Sequence, residues 1–208
     1  MEINLTVLAA FIAYFAAVLL IGYYFYNKST NLSDYVIGGR SLNPYVAALS
    51  AQASDMSGWL LLGLPGSIYL MGIGQVWIGI GLATGSYLAW LFVAKRLRNY
   101  SHVSGDSITV SEFFSNRFKD EKGYLRIISA IVILFFFTIY VASGFVAGGN
   151  VFLAVFPGFD YRLAVLLSLT VIVAYTFLGG FKAVCWTDFI QGMLMVVAIV
   201  VEIGRAHV

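Results

Sequence analysis

Long apolar runs separated by short polar islands dominate the chain. Residues 3–27, 127–159 and 163–181 each pass without a charge, and about 20 apolar residues suffice to cross a bilayer as a helix. Two further apolar stretches, 44–72 and 75–94, contain a single charged residue between them, Asp55. A last one starts among Val184, Trp186, Thr187 and Asp188. The pattern predicts an all-α integral membrane protein, a polytopic helical bundle. Its spans are expected at about 4–26, 44–72, 75–94, 127–155, 163–181 and 183–201, with a solvent-facing loop over 95–126. Gly81 and Gly85 stand four apart, as do Gly144 and Gly148, so each pair shares a helix face suited to close helix contact. Trp77 and Trp90, near the two ends of the third span, suit interfacial anchors.

The polar islands have patterns of their own. Asp34, Gly38, Gly39 and Arg40 mark residues 28–43 as an irregular loop, and Pro44 suits the first turn of the helix that follows. Lys95, Arg96 and Arg98 are expected to end the third span. Beyond them Thr109-Val110-Ser111-Glu112 has the spacing of a capping box. Val110, Phe113, Phe114 and Phe118 then share one face, which predicts a short amphipathic helix on the membrane surface or against the bundle.

Composition supports the membrane reading. The 208 residues are 61% hydrophobic and 11% charged, more apolar than a soluble domain of this size requires. The lone Cys185 excludes an internal disulfide. The first run has no basic segment before it and is too long for a signal-peptide core, so it is read as a retained helix. The net charge of +2 matters less than where the basic residues fall. With the N-terminus outside, the inner loops hold Lys28, Arg40, Lys95, Arg96, Arg98, Arg117, Lys119, Lys122, Arg126 and Lys182, while the outer ones hold only Arg162. That asymmetry orients a multi-pass protein of the cell membrane with its N-terminus outside.

Asp55 is the residue that chemistry singles out. An ionised group at membrane depth costs roughly 2.5–3.5 kcal/mol on insertion scales, so it needs a cavity, a partner or an ion. Ser54 and Ser57 flank it, Gly58 and Trp59 follow, and nearby glycines and Pro65 weaken the helix. An acid at a weakened point of a membrane helix suggests a cation site; an aspartate bonded to neighbouring helices is the plainer reading. The chain shows no phosphate-binding glycine loop, no Cys/His ligand cluster and no nucleophile with a base partner. It is therefore read as no enzyme, with no cofactor and no nucleic-acid partner.

Four blocks carry a resemblance. Gly38-Gly39-Arg40-Ser41, Ala53-Ser54-Asp55-Met56-Ser57-Gly58-Trp59, Phe137-Thr138-Ile139-Tyr140, and Gly179-Gly180-Phe181 through Trp186-Thr187-Asp188 are similar, in order, to the sodium/solute symporter family. Within it they are most similar to the branch that carries L-proline, and the likeness extends over nearly all of residues 1–201. The family implies an inverted-repeat fold of about thirteen helices, two five-helix repeats preceded by one extra helix. This chain then supplies the extra helix and the first repeat, with Asp55 on a broken helix whose free carbonyls suit a cation. The resemblance implies sodium held by the backbone carbonyls of Ala53 and Met56, with Asp55 needed for sodium coupling. It assigns Ser57, Gly58, Trp59 and Tyr140 to substrate binding, and Arg40, Ser54 and Asp188 to gating or coupling. Plainer roles stand beside these: Trp59 and Tyr140 as packing, Ser54 and Ser57 bonded to their own helix, Arg40 as topogenic charge, Asp188 paired locally near Lys182.

The function implied is sodium-coupled symport of L-proline by alternating access, with sodium as coupling ion and no protein partner required. Two alternatives share the fold: import of another small solute such as pantothenate, a sugar, urea or a carboxylate, and a transporter-like sensor domain fused to a signalling kinase. A self-contained six-helix channel explains neither the resemblance nor the tail. Residues 202–208 resemble a translated sequencing-library adaptor. They are expected to be non-native, closing an N-terminal fragment, and Arg205 and His207 carry no functional weight.

Overall fold

The computed structural model describes residues 5–58, 63–156 and 158–205, with side chains over 5–55, 63–156 and 158–201. Among these residues all regular structure is helical: α1 (Leu5–Tyr26), α2 (Leu32–Ile37), α3 (Pro44–Gly58), α4 (Leu64–Met71), α5 (Val76–Leu88), α6 (Lys95–Val103), α7 (Val110–Arg117), α8 (Tyr124–Val155) and α9 (Tyr161–Arg205). Four stretches are long and apolar enough to cross a membrane: Leu5–Tyr26, Ile73–Val103, Tyr124–Val155 and Tyr161–Val201. Their side chains are mostly exposed on the protein itself, as for Leu20, Ile131 and Phe135; in a bilayer, lipid covers such faces. Contacts divide the chain into two compact units, residues 1–57 with 145–208, and residues 58–144.

In the first unit α1 packs along α9 through small residues. Gly22 is buried, and a Cβ there would lie 3.1 Å from Tyr175 Cα. A Cβ on Gly179 would lie 2.8 Å from Gly22 O. Ala164 and Ala183 are fully buried, and Val18 and Tyr175 complete this core. Further along, Phe11 meets Phe152 and Phe156 edge to face, at 5.7 and 5.3 Å between centroids. Here α8 comes close to α9 at Gly149, where a Cβ would fall 2.6 Å from Val165. The small-residue pairs expected from spacing make no such approach among the described residues. Added Cβ atoms on Gly81, Gly85, Gly144 and Gly148 would meet nothing within 4 Å. Spacing marks a face as able to pack, whereas the partner decides which face does.

The fifth and sixth expected spans fall on the single element α9, which bends at Gly180 (φ 60, ψ −158). That conformation is open to glycine and to little else. Residues 28–43, expected to be irregular, contain α2. Asn31 Oδ1 accepts from Asp34 N at 2.8 Å, a side-chain cap of the usual kind. Gly38, Gly39 and Arg40 then all take positive φ (66, 57 and 54°), turning the chain toward Pro44.

In the second unit a short 3₁₀ turn, Ile73–Gln75, leads into α5. A π-helical stretch, Ala89–Ala94, carries α5 into α6. The basic cluster therefore does not end the helix, which runs on to Val103. Lys and Arg are good helix formers, so the cluster marks a change of surroundings along one rod. The capping signal does mark a helix start. Thr109 Oγ1 accepts from Glu112 N at 3.1 Å, and Glu112 reaches back to Ile108 N at 2.8 Å, one residue before the reciprocal position. Asn116 Nδ2 ties α7 to the end of α6 by donating to Ser104 O and Ser107 Oγ.

Candidate functional site

The polar centre of the first unit lies where α3 crosses α9. Ser50 and Ser54 stand one helical turn apart, so their side chains share a face of α3. Both donate to Asp188 Oδ2, Ser54 Oγ at 2.6 Å and Ser50 Oγ at 3.1 Å. Asp188 is 8% exposed, Ser50 5% and Thr187 1%. Thr187 Oγ1 donates to Val184 O one turn back. One turn along α9 from the acid, Gly192 lets Leu49 approach, where a Cβ would fall 2.9 Å from Leu49 Cγ. On the α1 side Gln191 Nε2 donates to the Tyr14 hydroxyl. Among the described residues no buried side-chain polar atom lacks a partner, as an apolar surrounding demands.

The residues expected to act split between this cluster and its surroundings. Ser54 and Asp188 meet directly. The local pairing of Asp188 near Lys182 is replaced by the bonds to α3, while Lys182 Nζ lies 4.0 Å from Asp34 Oδ1. Asp55, next to Ser54 and about 100° further round the helix, is exposed, and Ala53 is half-buried. No residue of Pro44–Gly58 departs from helical dihedrals, so Asp55 sits on continuous helix. The side chains of Met56, Ser57 and Gly58 and the whole of Trp59 lie outside the described residues, as do the last residues of the tail. Arg40 closes the left-handed turn after α2. Tyr140 belongs to α8 in the second unit, exposed, with its ring 6.1 Å from Phe137.

Ser50 was not among the expected residues. Its signal was its position four before Ser54, which puts two hydroxyls on one helix face. The described residues contain no group of three or more His, Cys, Asp or Glu placed to hold a metal. A cation on α3 would need hydroxyls, backbone carbonyls and a lone carboxylate, a hard oxygen set suited to an alkali ion rather than a transition metal.

At the edge of the unit Asp34 gathers its own partners. Thr30 donates to Oδ2 from its hydroxyl at 2.8 Å and from its backbone N–H at 3.4 Å. Those bonds, and more weakly Lys182, hold the Asp34 carboxyl below the ordinary carboxylate range.

Comparison with known proteins gives this architecture a family context. The model of the sodium:solute symporter family matches residues 35–206. The sodium/proline symporter 2 of Staphylococcus saprophyticus is 50% identical over 190 residues, 91% of this chain and 37% of that protein. The sodium/proline symporter of Staphylococcus aureus strain JH9 is 50% identical over 188 residues, 90% of this chain and 36% of that protein. The chain thus spans little more than a third of the length of the curated relatives it matches. No solved structure matches it.

Proposed function

Because the chain belongs to the sodium:solute symporter family, we propose that it is the first part of a sodium-coupled importer of L-proline. The observation that carries this reading is the 50% identity, over nine-tenths of the chain, to proteins named sodium/proline symporters. Members of this family are transporters, and the chain is a multi-pass membrane protein. No bond is made or broken; sodium and solute cross together by alternating access.

In this reading sodium sits against α3, held by the backbone carbonyls of Ala53 and Met56 and drawn by Asp55. The site lies in the last turns of α3 as described, and the carbonyl end of a helix carries the partial negative charge that suits such an ion. Ser57, Gly58, Trp59 and Tyr140 contact the solute. Arg40, Ser54 and Asp188 couple the site to the conformational change. The Ser50–Ser54–Asp188 cluster supports that role, since it fixes the rotation of α3 against α9 one residue from Asp55. An interior-negative potential adds about 2.3 kcal/mol per charge per 100 mV to the driving force on sodium.

The test is uptake of labelled L-proline into proteoliposomes holding the complete protein, with and without an inward sodium gradient, for the wild type and Asp55→Asn. Expected are sodium-dependent uptake competed by unlabelled proline, and a variant that needs at least about ten times more sodium or takes up none, a loss of roughly 1.4 kcal/mol or more. Uptake with unchanged sodium dependence in the variant removes Asp55 from the cation site. A wild type that inserts and folds but takes up no proline moves the function to another solute or to sensing.

A further inference from the structure

Gly180 interrupts α9 eight residues before Asp188. In an uninterrupted helix the N–H groups of residues 180 and 181 donate to the carbonyls of 176 and 177. A glycine with φ 60 and ψ −158 turns the adjoining peptide units out of that ladder. The Tyr35 hydroxyl, from α2, reaches the same two carbonyls: it donates to Phe177 O at 3.0 Å and lies 3.5 Å from Thr176 O. A carbonyl at membrane depth gains from any donor, because no water is there to supply one.

Three more contacts seat α2 on the bend. A Cβ on Gly180 would fall 2.7 Å from Tyr35 Cδ2 and from Tyr35 O, so only glycine lets the tyrosine approach. The left-handed turn after α2 brings Gly38 against the far side, where a Cβ would meet Lys182 Cγ at 3.1 Å. Lys182 in turn faces Asp34. The segment so fastened leads within a few residues into α3, which carries Ser50, Ser54 and Asp55.

We infer that Tyr35 is a positioning residue of the transporter: its hydroxyl clamps the Gly180 bend and so sets how readily α3 and α9 move against each other. The inference rests on the transport reading above only for its effect on turnover; the clamp itself is a property of the fold. Among the described residues the Tyr35 hydroxyl is bonded to the carbonyls of Phe177 and Thr176 and not to Ala53, Asp55 or Tyr140. Loss of its hydroxyl therefore changes the rate of the conformational step and leaves the half-saturating concentrations alone.

The experiment uses the complete protein in lipid, with every native cysteine, Cys185 included, replaced by serine as background, and spin labels at Leu32 and Phe177, both exposed (70% and 74%). Tyr35→Phe removes only the hydroxyl. Tyr24→Phe, whose hydroxyl bonds Lys28 instead, serves as control. Expected for Tyr35→Phe are a broadened label-to-label distance distribution and a maximal uptake rate changed by roughly 2- to 10-fold, the range one net hydrogen bond supports. The half-saturating sodium and proline concentrations should stay within about twofold, and Tyr24→Phe should match the wild type throughout. An unchanged distribution in Tyr35→Phe overturns the clamp. A broadened distribution with an unaltered uptake rate overturns the positioning role. If the wild type takes up no proline while the distribution still broadens, the clamp stands and the transport reading fails.

Discussion

Two hydroxyls one turn apart on α3 share one carboxylate oxygen on α9, and their distances differ by half an ångström: 2.6 Å from Ser54 and 3.1 Å from Ser50. A hydrogen bond contributes about 0.5–1.5 kcal/mol net, and up to about 3 kcal/mol where one partner is ionised. Ser54→Ala should therefore destabilise the protein by about that much, and Ser50→Ala by less, in thermal or denaturant unfolding of the detergent-solubilised protein. Equal losses, or the reverse order, would mean that the short bond is not the stronger one. The pair also shows what the sequence could and could not reveal. Asp55 drew notice because it is the one charge in a long apolar stretch, a local signal. Asp188 was legible as a motif residue, but its partners lie 134 and 138 positions away. Nothing local links them, so the spacing of Ser50 and Ser54 acquires its meaning only with α3 and α9 placed together.

Among the elements, period and caps were legible and contacts were not. The apolar run over residues 3–27 becomes α1 (Leu5–Tyr26), and the Thr109 cap opens α7, because both depend on near neighbours in the chain. The basic cluster reads as a stop signal, yet α5 continues into α6, because Lys and Arg favour helix. One helix's spacing carries no information about its neighbour. Among the helix glycines whose added Cβ would fall within 3.2 Å of another helix are Gly22, Gly149, Gly179 and Gly192. A direct comparison follows. Gly22→Leu drives a branched side chain into Tyr175, already 3.1 Å from the first added carbon. It should lower the unfolding temperature of the 208-residue chain in detergent, at an overpacking cost of about 1–3 kcal/mol. Gly81→Leu, where an added Cβ meets nothing within 4 Å, should leave that temperature unchanged or raise it. A similar drop in both would show that helix propensity or detergent contact, rather than the α1–α9 approach, sets the response.

At the scale of the whole molecule, apolar length makes the membrane class legible at once, whereas direction rests on charge alone. Among the described residues four stretches are long and apolar enough to cross. The basic residues around α6, α7 and the start of α8 (Lys95, Arg96, Arg98, Arg117, Lys119, Lys122 and Arg126) contrast with the lone Arg162 at the start of α9. Lys and Arg are retained on the cytoplasmic side, so residues 95–126 should lie inside and residue 162 outside, with the N-terminus outside. Lys122 and Arg162 are both exposed on the protein, which makes them suitable reporters. In the complete protein with every native cysteine, Cys185 included, replaced by serine, a membrane-impermeant maleimide added to intact cells should label Arg162→Cys. It should reach Lys122→Cys only after the membrane is opened. The reverse pattern would invert the topology and with it the direction in which a sodium gradient could drive the solute. Labelling of both in intact cells would mean that residues 95–126 are not held behind the bilayer at all. The result also bears on α2: if residues 95–126 prove cytoplasmic and the stretches 44–72 and 75–94 each cross once, residues 28–43, with Tyr35 and Asp34, lie on that same side. In the transport reading proposed above, the Gly180 bend would then be controlled from the inner face, where an imported solute leaves.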